Sequence, residues 1–302
     1  MEKTNPKDYG VILYHASCPD GIGAAFSFYL YHKKHNIPNV IYYGVKQFQN
    51  YPKELIKNKN IAVLDFNYNK NITIDLAKHA KSVLIIDHHE SSLTQLNDIN
   101  KFSYNVTFIH DHERSSSQIT WDYVFNYESR PLFIEYIADR DLWEWKLPES
   151  KNINAGLFHK GFIKSLNNMY KLYTSELISK NIYANIIKIG REINTYEYQR
   201  CKILSKYSKL GLFHGLRTRI VTVESNIVSV LADHIFKYYK DCDIVLNYNF
   251  HIDDGWYVQL RSENVDLIYI TKKYDKSSCY HNSAGFKLPN TDHINNHIKI
   301  IG

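Results

Sequence analysis

Two stretches, Ile61-Ala62-Val63-Leu64-Asp65-Phe66 and Ser82-Val83-Leu84-Ile85-Ile86-Asp87-His88-His89, constrain the fold of this chain more than any other feature. Each is apolar at consecutive positions and ends abruptly in acidic or histidine residues. A strand of that kind needs cover on both faces, as in a parallel sheet enclosed by helices. The runs Gly10–Tyr14, Val40–Val45 and Val106–His110 read the same way, and helical patterns fall at Ile22–His35, Ser117–Asn126 and Leu132 to Trp145. Strands alternating with helices predict a doubly wound α/β domain over residues 1–150.

Residues 151–210 carry polar helical patterns and read as a connector. Over 211–302 the character changes to a smaller α+β domain. A strand is expected at Arg217–Val223 and a helix at Asn226–Tyr239. A hairpin of Ile244–Phe250 and Trp256–Arg261 would turn at Asp253-Asp254-Gly255, followed by a helix over Val265–Tyr274.

Composition narrows the class. A chain of 302 residues, 44% hydrophobic and 23% charged, can bury a substantial core. The opening MEKTNPKDYG has no apolar run of a secretory leader, and no stretch has the ~18 apolar residues of a membrane span. Cys18, Cys201, Cys242 and Cys279 form no C-x-x-C pair, so a reducing, cytoplasmic setting without membrane attachment is expected. A net charge of +6 is compatible with a polyanionic partner but does not demand one. The 25 tyrosines accompany abundant Lys, Asn and Ile, a bias that AT-rich coding produces by itself.

Ligands of open α/β sheets bind beyond the carboxyl ends of the strands, and the chemically capable residues cluster there. His15, Cys18 and Asp20 follow the first strand, and Asp65 ends the run IAVLD. Asp87-His88-His89 ends SVLII, and Asp139 and Asp141 lie in IADRDLW. Carboxylates mixed with imidazoles suit Mn²⁺, Co²⁺ or a similar ion better than a thiolate zinc site. The set is large enough for two ions, an arrangement that serves hydrolysis of a phosphate ester or anhydride. His110-Asp111-His112 reads as a loop before a capped helix, and Trp143 and Trp145 as core packing.

In order along the chain, these motifs resemble the DHH phosphoesterases with a DHH-associated C-terminal domain, the group of RecJ-type exonucleases, oligoribonucleases and exopolyphosphatase-like proteins. The first motif stands as His15-x-x-Cys18-x-Asp20-Gly21, the second as Asp65 in LDFNY, the third as Asp87-His88-His89 and the fourth as Asp139 in IADRDLW. The C-terminal motif stands as Tyr280-His281-Asn282-Ser283-Ala284-Gly285-Phe286, with Leu260-Arg261-Ser262 upstream. The resemblance implies two Mn²⁺ ions, with Co²⁺ or Mg²⁺ as alternatives. His15, Cys18, Asp20, Asp65, His88 and Asp139 would be the ligands, Asp65 the bridge, and Asp141 the alternative to Asp139. His89 would face the substrate phosphate, Asp87 would orient an imidazole, and Arg261, Ser262 and His281 would hold substrate. Two positions depart from the family pattern. Cys18 stands where many relatives carry Asp, and Cys279-Tyr280 replaces paired glycines.

The expected activity is metal-dependent hydrolysis of phosphodiester bonds in short single-stranded oligonucleotides. The alternatives are a polyphosphate, pyrophosphate or nucleoside-bisphosphate hydrolase, and a catalytically silent nucleic-acid-binding scaffold. The scaffold has no physical need for an intact ion cage.

Overall fold

Tyr9–His15 (β1), Ile41–Val45 (β2), Asn60–Leu64 (β3), Ser82–Asp87 (β4) and Val106–His110 (β5) pair in parallel, in the order β2-β1-β3-β4-β5. Successive residues of these strands point to opposite faces, and both faces are apolar. Ile12, Ala62, Leu64, Leu84 and Ile86 enter one core; Val11, Leu13, Ile61, Val63, Val83 and Ile85 enter another. The computed structural model describes residues 4–46, 49–179, 181–251, 255–274, 278–279, 282–288 and 294–301. The chain divides into two units, Met1–Ile193 and Asn194–Gly302.

In the first unit, helices Pro19–Lys34 (α1), Lys53–Ile56 (α2), Lys70–His79 (α3), Glu90–Leu96 (α4), Ser116–Phe125 (α5) and Leu132–Asp141 (α6) follow or separate the strands. The larger core lies under α1, α5 and α6, where Phe26, Phe133, Ile134 and Ile119 are buried. Ile56, Leu76, Ala77 and Leu96, from α2, α3 and α4, cover the opposite face. This is the doubly wound architecture that strands without a polar face require. Ser150–His159 (α7), Leu166–Ile178 (α8) and Ile182–Leu204 (α9) complete the helices up to the division, which falls inside α9.

Two helix ends bear on the site. Ser115 caps α5 in a reciprocal box with Gln118. The helix expected to reach Trp145 stops at Asp141, because the Asp139 carbonyl accepts from Glu144 N and Trp145 N. Trp143 and Trp145 turn the chain there, both in the left-handed region.

The second unit is a mixed seven-stranded sheet. Its strands are Lys209–Phe213 (β6), Leu216–Val221 (β7), Ile244–His251 (β8), Gly255–Ser262 (β9), Ser278–Cys279 (β10), Ser283–Leu288 (β11) and Ile298–Ile300 (β12), in the order β10-β11-β9-β8-β7-β6-β12. β7 and β8 pair in parallel across Val228–Tyr239 (α10), and the other pairs are antiparallel. The expected antiparallel pairing of β8 with β9 is present; Asp253 and Asp254 of its turn lie outside the described residues. One face packs on α10 through Val221, Leu231, Ile235 and Val245. The other packs on Leu267–Thr271 (α11), shorter than the helix expected there.

Candidate metal centre

β1 carries His15 to the carboxyl edge of the sheet, and Cys18 forms the N-cap of α1. Asp20 is fully buried in the first turn. Its two oxygens accept hydrogen bonds from Ser116 N at 2.7 Å and Ser117 N at 3.0 Å, the opening amides of α5. The positive end of that helix fixes the carboxylate in place. Gly21 permits the packing that follows: a Cβ there would lie 2.6 Å from the His15 carbonyl oxygen and 3.0 Å from Asp65 Oδ2.

Asp65 leaves β3 in a left-handed conformation, φ 66°, which costs a non-glycine residue about 1–3 kcal/mol and is held by the surrounding structure. Its carboxylate is 1% exposed and faces two ways. Oδ2 lies 3.3 Å from His15 Nδ1, and Oδ1 lies 3.6 Å from His88 Nε2. Apart from each other, neither Asp65 Oδ2 nor His15 Nδ1 has a polar partner among the described residues, although both atoms are buried. His88, carried by β4, also places Nε2 3.2 Å from Asp141 Oδ2 and 3.9 Å from Asp20 Oδ2. Ligand-capable atoms of His15, Cys18 and Asp65 form one corner. Those of Asp20, His88 and Asp141 form a second, and His89 joins Asp65 and His88.

Asp87 has another task. Its Oδ1 accepts from His89 Nδ1 at 2.6 Å and from His88 N at 2.8 Å, while Oδ2 accepts from the Ser92 hydroxyl. Burial opposes its ionisation, but the adjacent His89 holds its carboxyl below the usual range. Around Asp20 the balance is reversed: burial, then the Asp141 and Asp65 carboxylates, push its carboxyl well above the usual value. Burial also opposes charge on His88, yet Asp141 and Asp65 raise that imidazole well above its ordinary value. Buried carboxylates this close need cations, and Asp65 Oδ2 and His15 Nδ1, which face only each other among the described residues, have the donor chemistry to bind one. The residues fit divalent ions.

Of the two aspartates in IADRDLW, Asp141, the alternative ligand, is the one that lies beside His88. Asp139 is buried, and its oxygens accept from Lys146 N at 2.8 Å and Leu147 N at 3.3 Å, so its carboxylate fastens the turn after α6. Asp141, two residues on, reaches His88 instead. The sequence left no signal for Ser116, Ser117 and Ser92 as supports of Asp20 and Asp87, because all three are distant from them in the chain or hidden in ordinary helix starts. His110, set aside as a loop residue, ends β5 and donates from Nε2 to the His89 carbonyl.

Residues 11–143 match the DHH family, N-terminal domain. The match spans a little under half of the chain. Across the chain, 278 residues are 27% identical to an uncharacterized protein, R106, of Acanthamoeba polyphaga mimivirus. That match covers 86% of this chain and 62% of the relative, so the chain spans less than two thirds of the relative's length. Among solved structures, the fold is similar to the DHH domain of a protein described as a member of a family of ribosomal proteins. That alignment has a TM-score of 0.57 at 14% identity and covers 98% of this chain and 84% of that one. It is also similar to exonuclease RecJ bound to manganese, with a TM-score of 0.50 at 10% identity, covering 95% of this chain and 88% of that one. Among the described residues no helix is long and apolar enough to cross a membrane.

Beyond the DHH domain, the second unit holds the residues expected to grip substrate. Arg261 on β9 is largely buried. Its Nε donates to Ser229 Oγ at 3.0 Å and its Nη1 to the Leu260 carbonyl at 2.8 Å. Burial lowers the guanidinium pKa, and the Tyr257 and Asp233 groups oppose that shift. Ser262 is committed locally: its Oγ accepts from Asn264 N at 3.1 Å and Val265 N at 2.6 Å, which shapes the turn after β9. His281 and Tyr280 lie outside the described residues, and Ser283–Phe286 of the same motif run along β11. Ser229, at the start of α10, was not foreseen. It is an ordinary helix residue until Arg261 is seen beside it.

Proposed function

We propose that the DHH domain is the two-cation centre of a phosphohydrolase that cleaves phosphodiester bonds of short single-stranded oligonucleotides. The observation that carries this reading is Asp65, whose two oxygens face separate clusters of ligand-capable atoms. His15, Cys18 and Asp65 would hold one ion, and Asp20, Asp65, His88 and Asp141 the other. Mn²⁺ is the metal proposed to support activity, held at least by the Asp20–His88–Asp141 group, with Co²⁺ or Mg²⁺ able to replace it there. Bound cations of this kind acidify a water and offset charge developing on a phosphoryl oxygen.

The chain's own groups do the rest. Asp20, pinned by the α5 amides, and Asp65, held in its strained backbone, keep the cluster spacing fixed. Asp87 fixes the His89 ring through Nδ1, so that Nε2 meets the substrate phosphate. Arg261, a largely enclosed guanidinium that donates to Ser229 Oγ and the Leu260 carbonyl, supports a further phosphate contact.

The test is a substrate panel with purified protein and Mn²⁺: labelled dinucleotide, longer RNA, single-stranded DNA, nucleoside bisphosphate and polyphosphate. Cleavage of short oligonucleotides that stops with a chelator, and falls ~10²–10³-fold in Asp65→Asn, is the expected result. Asparagine tolerates left-handed backbone, so that variant should fold. Preference for polyphosphate would replace the oligonucleotide reading. Full activity without Asp65 would remove the two-cation centre altogether.

A further inference from the structure

The two corners of the cage differ in their donor atoms. Asp20, His88 and Asp141 offer oxygen and nitrogen, whereas the other corner contains the Cys18 sulfur with His15 and the shared Asp65. Cys18 occupies the N-cap of α1, a position that favours Ser, Thr, Asp or Asn because their oxygens accept a helix amide. Asn69, Ser115 and Ser165 do that at their helices through oxygen, whereas Cys18 offers the Gly21 amide only a thiol sulfur, a weak acceptor. Capping alone is a poor use of a thiol at this position. Its surroundings account for it. The buried atoms Asp65 Oδ2 and His15 Nδ1 face only each other, at 3.3 Å, among the described residues, and belong to the same cluster as the sulfur.

We propose that Cys18 is a metal ligand and that the His15–Cys18–Asp65 corner takes a thiophilic divalent ion such as Zn²⁺, Co²⁺ or Fe²⁺, while the Asp20–His88–Asp141 corner keeps a hard ion such as Mn²⁺ or Mg²⁺. The inference rests on the two-cation reading of the DHH domain and makes its two positions chemically unequal. Sulfur and imidazole donors favour borderline ions, and all-oxygen or mixed carboxylate sites favour Mn²⁺ and Mg²⁺. Binding replaces the thiol proton with the cation, the proton passing to solvent. On this view Cys18 sets which metals the centre accepts.

The experiment is a Co²⁺ titration of the full chain in excess Mg²⁺, read by absorption spectroscopy and by metal analysis after gel filtration. A sulfur-to-cobalt charge-transfer band is expected in the wild type and not in Cys18→Ser or Cys18→Asp. Loss of even an outer partner of a ligand typically weakens a metal ~10–100-fold, so Zn²⁺ should bind Cys18→Ser at least about tenfold more weakly. Cys18→Asp, which restores a hard oxygen donor, should shift that corner toward Mn²⁺ and guards against a folding defect in the serine variant. Two bound equivalents of Co²⁺ without the band, or a band that persists in Cys18→Asp, overturns the soft-corner proposal and leaves the two-cation centre standing. Failure of any divalent ion to bind the wild type overturns both.

Discussion

The Oδ1 atom of Asp87 accepts a 2.6 Å hydrogen bond from His89 Nδ1, and the same oxygen accepts from the His88 amide. One carboxylate thus sets the ring of the third residue of the triplet and the backbone of the second. Asp87→Asn presents one oxygen and an amide donor in its place, so the His89 tautomer and ring angle are no longer fixed. The expected outcome is a ~10–100-fold fall in kcat, with metal content and thermal stability close to wild type. Loss of bound metal in this variant would make Asp87 a ligand instead.

Asp139 and Asp141 should separate cleanly. Asp141→Asn is expected to keep the fold and to lose affinity for the ion held with Asp20 and His88. Asp139→Asn removes a charged acceptor from two backbone amides, each such bond contributing about 1.5–3 kcal/mol. It should lower the melting temperature and weaken metal binding only through the displaced turn. Calorimetry and metal analysis on the same two proteins check this; a stable Asp139→Asn protein lacking one equivalent of metal would restore the assignment drawn from the motif.

Arg261→Ala should raise KM for an oligonucleotide roughly ten- to a hundredfold, the cost of one charge-assisted contact. Cation content should stay unchanged, because every residue of the cage lies in the other unit. Arg261→Lys should recover only part of the affinity, since an ammonium cannot reproduce the fork that reaches Ser229 and the Leu260 carbonyl. Steady-state kinetics with metal analysis decide between a phosphate contact and a structural one.

A pH effect on stability arises away from the cage. His32 is 3% exposed; its Nε2 donates to the Pro6 carbonyl at 2.8 Å, and Nδ1 accepts from the Tyr42 hydroxyl at 2.6 Å. Burial lowers its pKa below the ordinary 6.5. Above that value the ring is neutral in both folded and unfolded chains and contributes no pH dependence. As pH falls through 6.5 the unfolded chain takes up the proton first, so stability declines until the folded pKa is passed. Melting curves between about pH 7.5 and 5.5 should show a steeper loss for the wild type than for His32→Gln, about one proton's worth of slope.

Consecutive apolar β-branched residues in IAVLDF and SVLIIDHH could only be buried on both faces, which determined a covered parallel sheet before any contact was known. That topology in turn put His15, Asp20, Asp65 and His88 at one edge, because a parallel sheet brings the carboxyl ends of its strands together. The glycine-bearing strands β6 and β11 escaped the same reading, since KLGLF and SAGFKL lack the apolar pattern that marks a strand. Tertiary structure alone decided between Asp139 and Asp141: two residues along a helix turn a side chain by about 200°, and only the docking of α6 shows which one points at His88. It also decided what surrounds the Cys18 thiol. Asp65 aims an oxygen into that corner through a left-handed backbone that no sequence pattern announces, and the surrounding packing holds the strain in place.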